Sequence, residues 1–295
     1  MDINSNIKEL DISLFNYEYL DPGLTKAEMS KNDTQFVLHL LNQKEPLKIL
    51  EIGVAAGGTS YYILNNMSEN ARLFSVDISQ TFYRNPDKEV GYIAKELCNE
   101  QQLTKWTTYF GCDIIDCIDS IGDGIDFLII DTVHSMPGEF LSFLVSLPHL
   151  NNNAMVILHD IHLNYLSPRA TDSYCTTLLF SVVSSNNKYI IRDQISNIGA
   201  FSIDATTSDN IFNIFHALFI SWSYYPDFDM IRYSQYINQF YSERCSFYFE
   251  QCISRQKFIV HEKNSIKNNL VKVIIKKILA TKLNKLAQRI YFQVK

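Results

Sequence analysis

Residues 47–60, LKILEIGVAAGGTS, limit the possible fold more than any other stretch. Ile49, Leu50 and Ile52 form a short apolar run of strand character. Gly53, Gly57 and Gly58 follow, with two alanines among them, and then a helix-like stretch begins. This is the pattern of a strand, a tight turn and a helix. Small residues let backbone N–H groups come close to a ligand, and the helix behind offers its positive end. Glu51 lies in the strand end, where an acid has no structural reason to be.

From residue 47 onward, short apolar runs alternate with helical stretches. Strands are expected at 47–53, 71–77, 106–111, 126–131, 154–159, 188–194 and 198–203, and helices at 58–67, 90–103, 114–120, 137–147 and 170–184. That alternation predicts an α/β, doubly wound sheet flanked by helices. Only Ile195, Ser196 and Asn197 separate the last two strands, so they must form an antiparallel hairpin.

Three regions follow. Residues 1–46 read as an N-terminal helical segment, with Phe36, Val37, Leu40 and Leu41 at helical spacing and Asn32 or Asp33 as cap. His39 in that helix reads as a packing residue. Residues 47–204 make the sheet domain. Residues 205–295 read as a helical, aromatic-rich extension, in which Ile211, Phe215, Leu218 and Trp222 share a helical face. The extension is expected to cap the sheet domain; a sugar-binding or dimer surface is the alternative.

Charge divides the chain. Residues 263–295 hold nine basic residues and no acid, which leaves 17 basic against 32 acidic residues elsewhere. So acidic a body suits no nucleic acid. The tail is amphipathic: Val271, Ile274, Ile275 and Ile278 lie on one face, with Lys272, Lys276 and Lys277 away from it. It suits peripheral contact with an anionic membrane, or docking on the acidic body. The N-terminus does not read as a signal peptide, no apolar run reaches about 18 residues, and the six cysteines show no metal or disulfide spacing. A cytoplasmic location is expected, with membrane association and a homo-oligomer as further possibilities.

Ligands of open α/β sheets gather at the carboxyl ends of the strands. Asp77 ends the second strand, 24 residues after Gly53, where a carboxylate accepts ribose hydroxyls. Asp113 follows the third, where it can also cap a helix. Strands four and five end in Asp131, His134, His159 and Asp160, four polar residues that need partners or a ligand. A dinucleotide turn wants G-x-G-x-x-G, but its middle glycine is Ala55 here.

The wording Glu51-x-Gly53-x-x-x-Gly57-Gly58 instead resembles the first motif of class I S-adenosylmethionine-dependent methyltransferases. That resemblance implies a Rossmann-like, seven-stranded methyltransferase sheet in the order 3-2-1-4-5-7-6. It implies S-adenosylmethionine held along Gly53, Ala55, Gly57, Thr59, Ser60 and Ile78, with Glu51 on its amino group, Asp77 on its ribose and Asp113 on its adenine. Asp131-x-x-His134 and the His159-Asp160 pair resemble the metal-assisted O-methyltransferases, of which macrolide-sugar and cephalosporin-hydroxylase-like enzymes are the nearest groups. This likeness covers about 47–203. It implies Asp131, His159 and Asp160 as ligands of a divalent metal (Mg, Mn or Fe), and His134 as base with Asp131 beside it. The family more often has Asp or Glu at the place of His159, and an imidazole shifts preference toward manganese, iron or zinc. Metal-free base catalysis and a purely structural His159-Asp160 pair remain open.

The function so implied is O-methylation of a hydroxyl on a small-molecule or glycan acceptor, a sugar or surface-glycan precursor. His162, Arg169, Asp172, Tyr174, Tyr83 and Arg84 are candidates for the acceptor pocket. The alternatives are a nicotinamide-dependent oxidoreductase on the same kind of sheet, against which Ala55 and Glu51 count, and a non-catalytic scaffold held at a membrane by the basic tail.

Overall fold

The computed structural model describes residues 6–15, 29–192, 195–226, 230–262 and 265. In chain order the elements are β1 (Ile7–Leu10), α1 (Lys31–Lys44), β2 (Lys48–Ile52), α2 (Gly58–Asn66), β3 (Arg72–Asp77), β4 (Thr81–Phe82) and β5 (Asn85–Glu89). Then come α3 (Tyr92–Leu97), α4 (Glu100–Leu103), β6 (Trp106–Phe110), α5 (Ile114–Ile121), β7 (Ile125–Ile130), α6 (Gly138–Ser146) and β8 (Leu150–His159). The chain continues with α7 (Leu163–Leu166), α8 (Cys175–Val182), β9 (Lys188–Ile191), β10 (Ile198–Ser202), α9 (Ala205–Asp209), α10 (Phe212–Ala217) and α11 (Met230–Phe240). A last helical run covers 243–262. The basic tail expected at 263–295 lies outside the described residues, apart from Ser265.

The main sheet has eight strands in the order β1-β9-β10-β8-β7-β2-β3-β6. This corrects the expected sheet of seven strands: an eighth, β1, is added at one edge, while the other seven follow one another as 3-2-1-4-5-7-6. The added strand comes from the segment read as purely helical. Ile7 to Leu10 pair in parallel with Lys188 to Ile191, so the sheet ends at β1 instead of at β9. Unpaired N–H and C=O groups on an edge strand recruit whatever extended segment is near, and four mixed residues give no readable alternation. Two further departures are local. The hairpin β4–β5 interrupts the passage from β3 to α3, and the cap of α1 is Ser30, whose hydroxyl accepts the Asp33 N–H at 3.2 Å.

The central strands read as apolar runs because both of their faces are covered. Leu50, Leu128, Ile130, Val156 and Leu158 turn to the face packed by α5, α6, α8 and the extension. Ile49, Phe127, Ile129 and Ile157 turn to the face packed by α1 and α2. Trp222, Phe215, Tyr233 and Phe249 of the extension are buried in the first of these cores, so the extension caps the sheet domain. Strand order reverses beside β2, which pairs with β3 on one side and β7 on the other. The crevice outside that reversal is where ligands of such sheets bind.

Candidate active site

The turn after β2 is shaped by steric need. Gly53 has φ +90°, and a Cβ there would lie 1.8 Å from the Asp131 carbonyl oxygen. Gly57 has φ +89°, and a Cβ there would meet Gly91 at 2.6 Å. Ala55 also takes a left-handed conformation, φ +48°, at the place where a dinucleotide turn would carry glycine. Asp77 reaches back from the end of β3. One of its oxygens accepts the N–H groups of Val54 and Ala55 at 2.9 and 3.0 Å, and the other accepts that of Ser79 at 2.8 Å. The carboxylate thus fixes the turn while it lines the cleft.

Two connected lobes open from this turn, sharing Gly53, Val54, Ala55, Tyr83, Asp131 and Thr132. The first, about 360 Å³, adds Met29, Thr34, Thr59, Tyr62 and His134. The second, about 320 Å³, adds Asp77, Ile78, Asp113, Leu141, Tyr224 and Tyr233. Gly53, Ala55, Thr59, Asp77, Ile78 and Asp113 therefore face one continuous cleft. Asp113 caps α5, accepting the Ile115 N–H at 3.2 Å, and also accepts the Tyr233 hydroxyl. Burial pushes its carboxyl up, and the bond from Tyr233 opposes that shift.

Glu51, Ser60 and Gly57 do not face the cleft, which corrects their expected contact with the donor. Strand alternation turns Glu51 to the same face as Ile49, under α2. It is fully buried, and one oxygen accepts the hydroxyls of Ser60 and Ser75, each at 2.6 Å. Trp106 Nε1 completes the chain by donating to Ser75 at 2.8 Å. Burial pushes the Glu51 carboxyl up to about 7. Gly57 spends its N–H on the Val54 carbonyl. The acid inside the strand has a structural role: it ties α2, β2 and β3 together.

Beyond β7 and β8 the site is built from charge. His134 and Asp160 both take left-handed backbone, φ +55° and +60°, which is strained for such residues and frequent at functional sites. His134 Nε2 lies 3.0 Å from Asp160 Oδ2 and 3.6 Å from Asp131 Oδ1. One ligand atom from each of these three lies within 4.8 Å of the others. The grouping replaces the expected set of Asp131, His159 and Asp160. His159 sits behind it at 2% exposure, with Nδ1 3.2 Å from Asp131 and Nε2 3.6 Å from Asp33. As the last residue of β8 it points into the face covered by α1, whereas Asp160 has already left the strand. Burial alone would lower the His159 pKa, but Asp131, Asp33 and Asp160 outweigh it and raise it well above the ordinary value. Asp131 is held low: burial would raise it, and His159 and His134 override that. Burial pushes Asp160 up against the pull of both imidazoles, and the Asn197 side-chain amide donates to it.

Sequence reasoning missed two acids here. Glu139, fully buried in the first turn of α6, accepts the Thr132 hydroxyl at 2.8 Å and the backbone N–H of His134. Asp33 comes from α1. Neither carries a local signal, because one contact depends on how the loop after β7 folds back and the other on a helix 98 residues before Asp131. Four carboxylates thus surround two imidazoles, an excess of negative charge that suits a cation. Of the acceptor candidates, Tyr83 lines both lobes. His162 bonds the Ser196 carbonyl and Tyr174 the Ser221 carbonyl, and Arg169, Asp172 and Arg84 do not line the cleft.

The family described as a methyltransferase domain matches residues 50–161, from β2 to just past Asp160. No curated protein matches the chain. Among solved structures, the O-methyltransferase TomG from Streptomyces achromogenes, in complex with SAM, is 15% identical with a TM-score of 0.49, covering 65% of this chain and 92% of its own. An O-methyltransferase from Bacillus cereus in complex with SAH is 17% identical, TM-score 0.44, over 62% and 86%. A methyltransferase from Geobacter sulfurreducens is 15% identical, TM-score 0.45, over 60% and 80%. Overlaps that partial say nothing about what this chain acts on. The matched segment spans the turn, Asp77, Asp113 and the tips of β7 and β8, so over residues 50–161 the chain matches a methyltransferase domain.

Proposed function

We propose that this enzyme is an O-methyltransferase that acts on a hydroxyl of a small-molecule or glycan acceptor, in the class of sugar or surface-glycan precursors. The observation that carries the reading is the cluster of Asp131, His134 and Asp160, of which Asp131 and His134 line the same cleft as the glycine turn. The donor's sulfonium is already an active methylating group, so the protein mainly has to hold an acceptor oxygen in line with the methyl carbon. The oxygen's lone pair forms the new C–O bond while the C–S pair returns to sulfur, leaving S-adenosylhomocysteine. The hydroxyl proton goes to His134 Nε2, and the adjacent Asp160 and Asp131 carboxylates stabilise the imidazolium.

One nitrogen and two carboxylate oxygens at this spacing, in a locale of excess negative charge, fit a divalent metal. Asp131, His134 and Asp160 would hold it, and it would supply Lewis-acid stabilisation of the forming alkoxide in place of proton transfer to His134, whose lone pair the metal would occupy. A mixed nitrogen and oxygen set favours manganese or iron over magnesium.

The test has two arms. Calorimetric titration with S-adenosylhomocysteine should show micromolar binding, and no binding sinks the reading. Incubation with donor and a panel of sugars and sugar nucleotides, with and without manganese, should release S-adenosylhomocysteine with at least one hydroxyl acceptor. Turnover only with amine or thiol acceptors removes the O-methyl assignment. The tail at 263–295 is proposed as a contact with anionic membrane. Co-sedimentation of full and tail-deleted chains with phosphatidylserine vesicles decides it.

A further inference from the structure

The second lobe of the cleft is walled by more than the methyltransferase domain. Its floor is Val76, Asp77, Ile78, Cys112, Asp113 and Ile114. Across from them stand Tyr224 and Tyr233, from the extension, more than 60 residues past the end of the matched segment. Tyr233 is buried, and its hydroxyl donates to the Asp113 carboxylate. Beside it Arg232 pairs with Asp116 and donates to the Ile115 carbonyl at 3.3 Å, so α11 is bolted to the start of α5. Tyr224 is half-buried, and its hydroxyl would lie 3.3 Å from a Cβ built on Gly138. Among the described residues that hydroxyl has no hydrogen-bond partner. A polar atom in a largely apolar lobe, with no partner of its own, is a site for a ligand's donor or acceptor.

We infer that the helical extension completes the nucleoside end of the donor cleft, Tyr224 by a direct hydrogen bond to the base and Tyr233 by fixing the Asp113 carboxylate that faces it. This rests on the proposed S-adenosylmethionine reading and goes beyond it, because it assigns donor affinity to residues outside the methyltransferase domain. A planar base edge carries both donors and acceptors, which a phenol and a carboxylate can meet together. Burial keeps the Tyr224 phenol neutral and able to donate.

Two probes test it, S-adenosylhomocysteine and 5′-methylthioadenosine, which lacks the amino-acid end. Each is titrated calorimetrically into the full chain and into Tyr224→Phe and Tyr233→Phe. Tyr224→Phe should weaken both probes by the same factor, about fivefold to tenfold for one lost hydrogen bond. Tyr233→Phe should weaken both as well, with Tm followed alongside, and Tyr224→Phe decides alone if Tyr233→Phe fails to fold. Wild-type affinity for both probes in Tyr224→Phe, or a loss confined to S-adenosylhomocysteine, overturns the inference and leaves the donor reading intact. If the wild-type chain binds neither probe, the donor reading fails and takes this inference with it.

Discussion

The two ends of the cleft are built by opposite means. At the turn after β2, positions are set by backbone and by the absence of side chains: Gly53 and Gly57 sit where a Cβ would strike Asp131 or Gly91. At the tips of β7 and β8, positions are set by charged side chains, two of them on left-handed backbone, with His134 3.0 Å from Asp160 and 3.6 Å from Asp131. The first end can hold a ligand without reacting with it. The second can move a proton or hold a cation. Binding and chemistry are therefore separable by mutation, and each of the following tests that separation.

Gly53→Ala should have the largest effect. Its added carbon would overlap the Asp131 carbonyl at 1.8 Å, on backbone at φ +90°. We expect a loss of several kcal/mol of stability, in the range of overpacking together with backbone strain, and no measurable S-adenosylhomocysteine binding. A folded Gly53→Ala chain with wild-type affinity would show that the turn is not the donor's seat. His134→Ala should come next. Turnover should fall by about 10²–10⁴-fold, the usual share of a general base, while S-adenosylhomocysteine affinity stays within about twofold. Parallel loss of both would erase the contrast between the two ends.

Glu51 offers a pH test of the frame that joins them. Its carboxyl titrates at about 7 when folded and at 4.5 otherwise. Between those values the folded state holds more protons, so this group's contribution is most favourable below pH 4.5 and declines as pH rises to about 7. At about 1.4 kcal/mol per unit, the decline is about 3 kcal/mol. Glu51→Gln lacks the titration, so urea melts should show its stability relative to wild type rising by about that much between pH 4.5 and 7.5. A constant difference would mean that Glu51 is charged throughout. The smallest effect belongs to the extension's latch. Tyr236 donates to the Val145 carbonyl at 2.7 Å and lies 2.8 Å from His149 Nε2, which is otherwise far from the cleft. Tyr236→Phe should cost about 1 kcal/mol in the same melts and leave S-adenosylhomocysteine affinity unchanged.

Read alone, the sequence settled what depends on short range. Apolar runs covered on both faces had to be central strands, three residues between two strands had to be a hairpin, and the small residues after β2 had to be a tight turn. Asp131, His134 and Asp160 were legible because each follows a strand at its carboxyl end, and all such ends share one side of a parallel sheet. What needed the tertiary structure was direction and distance. Glu51 and His159 were misplaced because one step along a strand turns a side chain to the other face, and both ended under helices instead of in the cleft. Glu139, Asp33, Tyr224 and the edge strand β1 were invisible for a related reason. Their partners come from other parts of the chain, and only closure of the core decides which of many polar residues meets which.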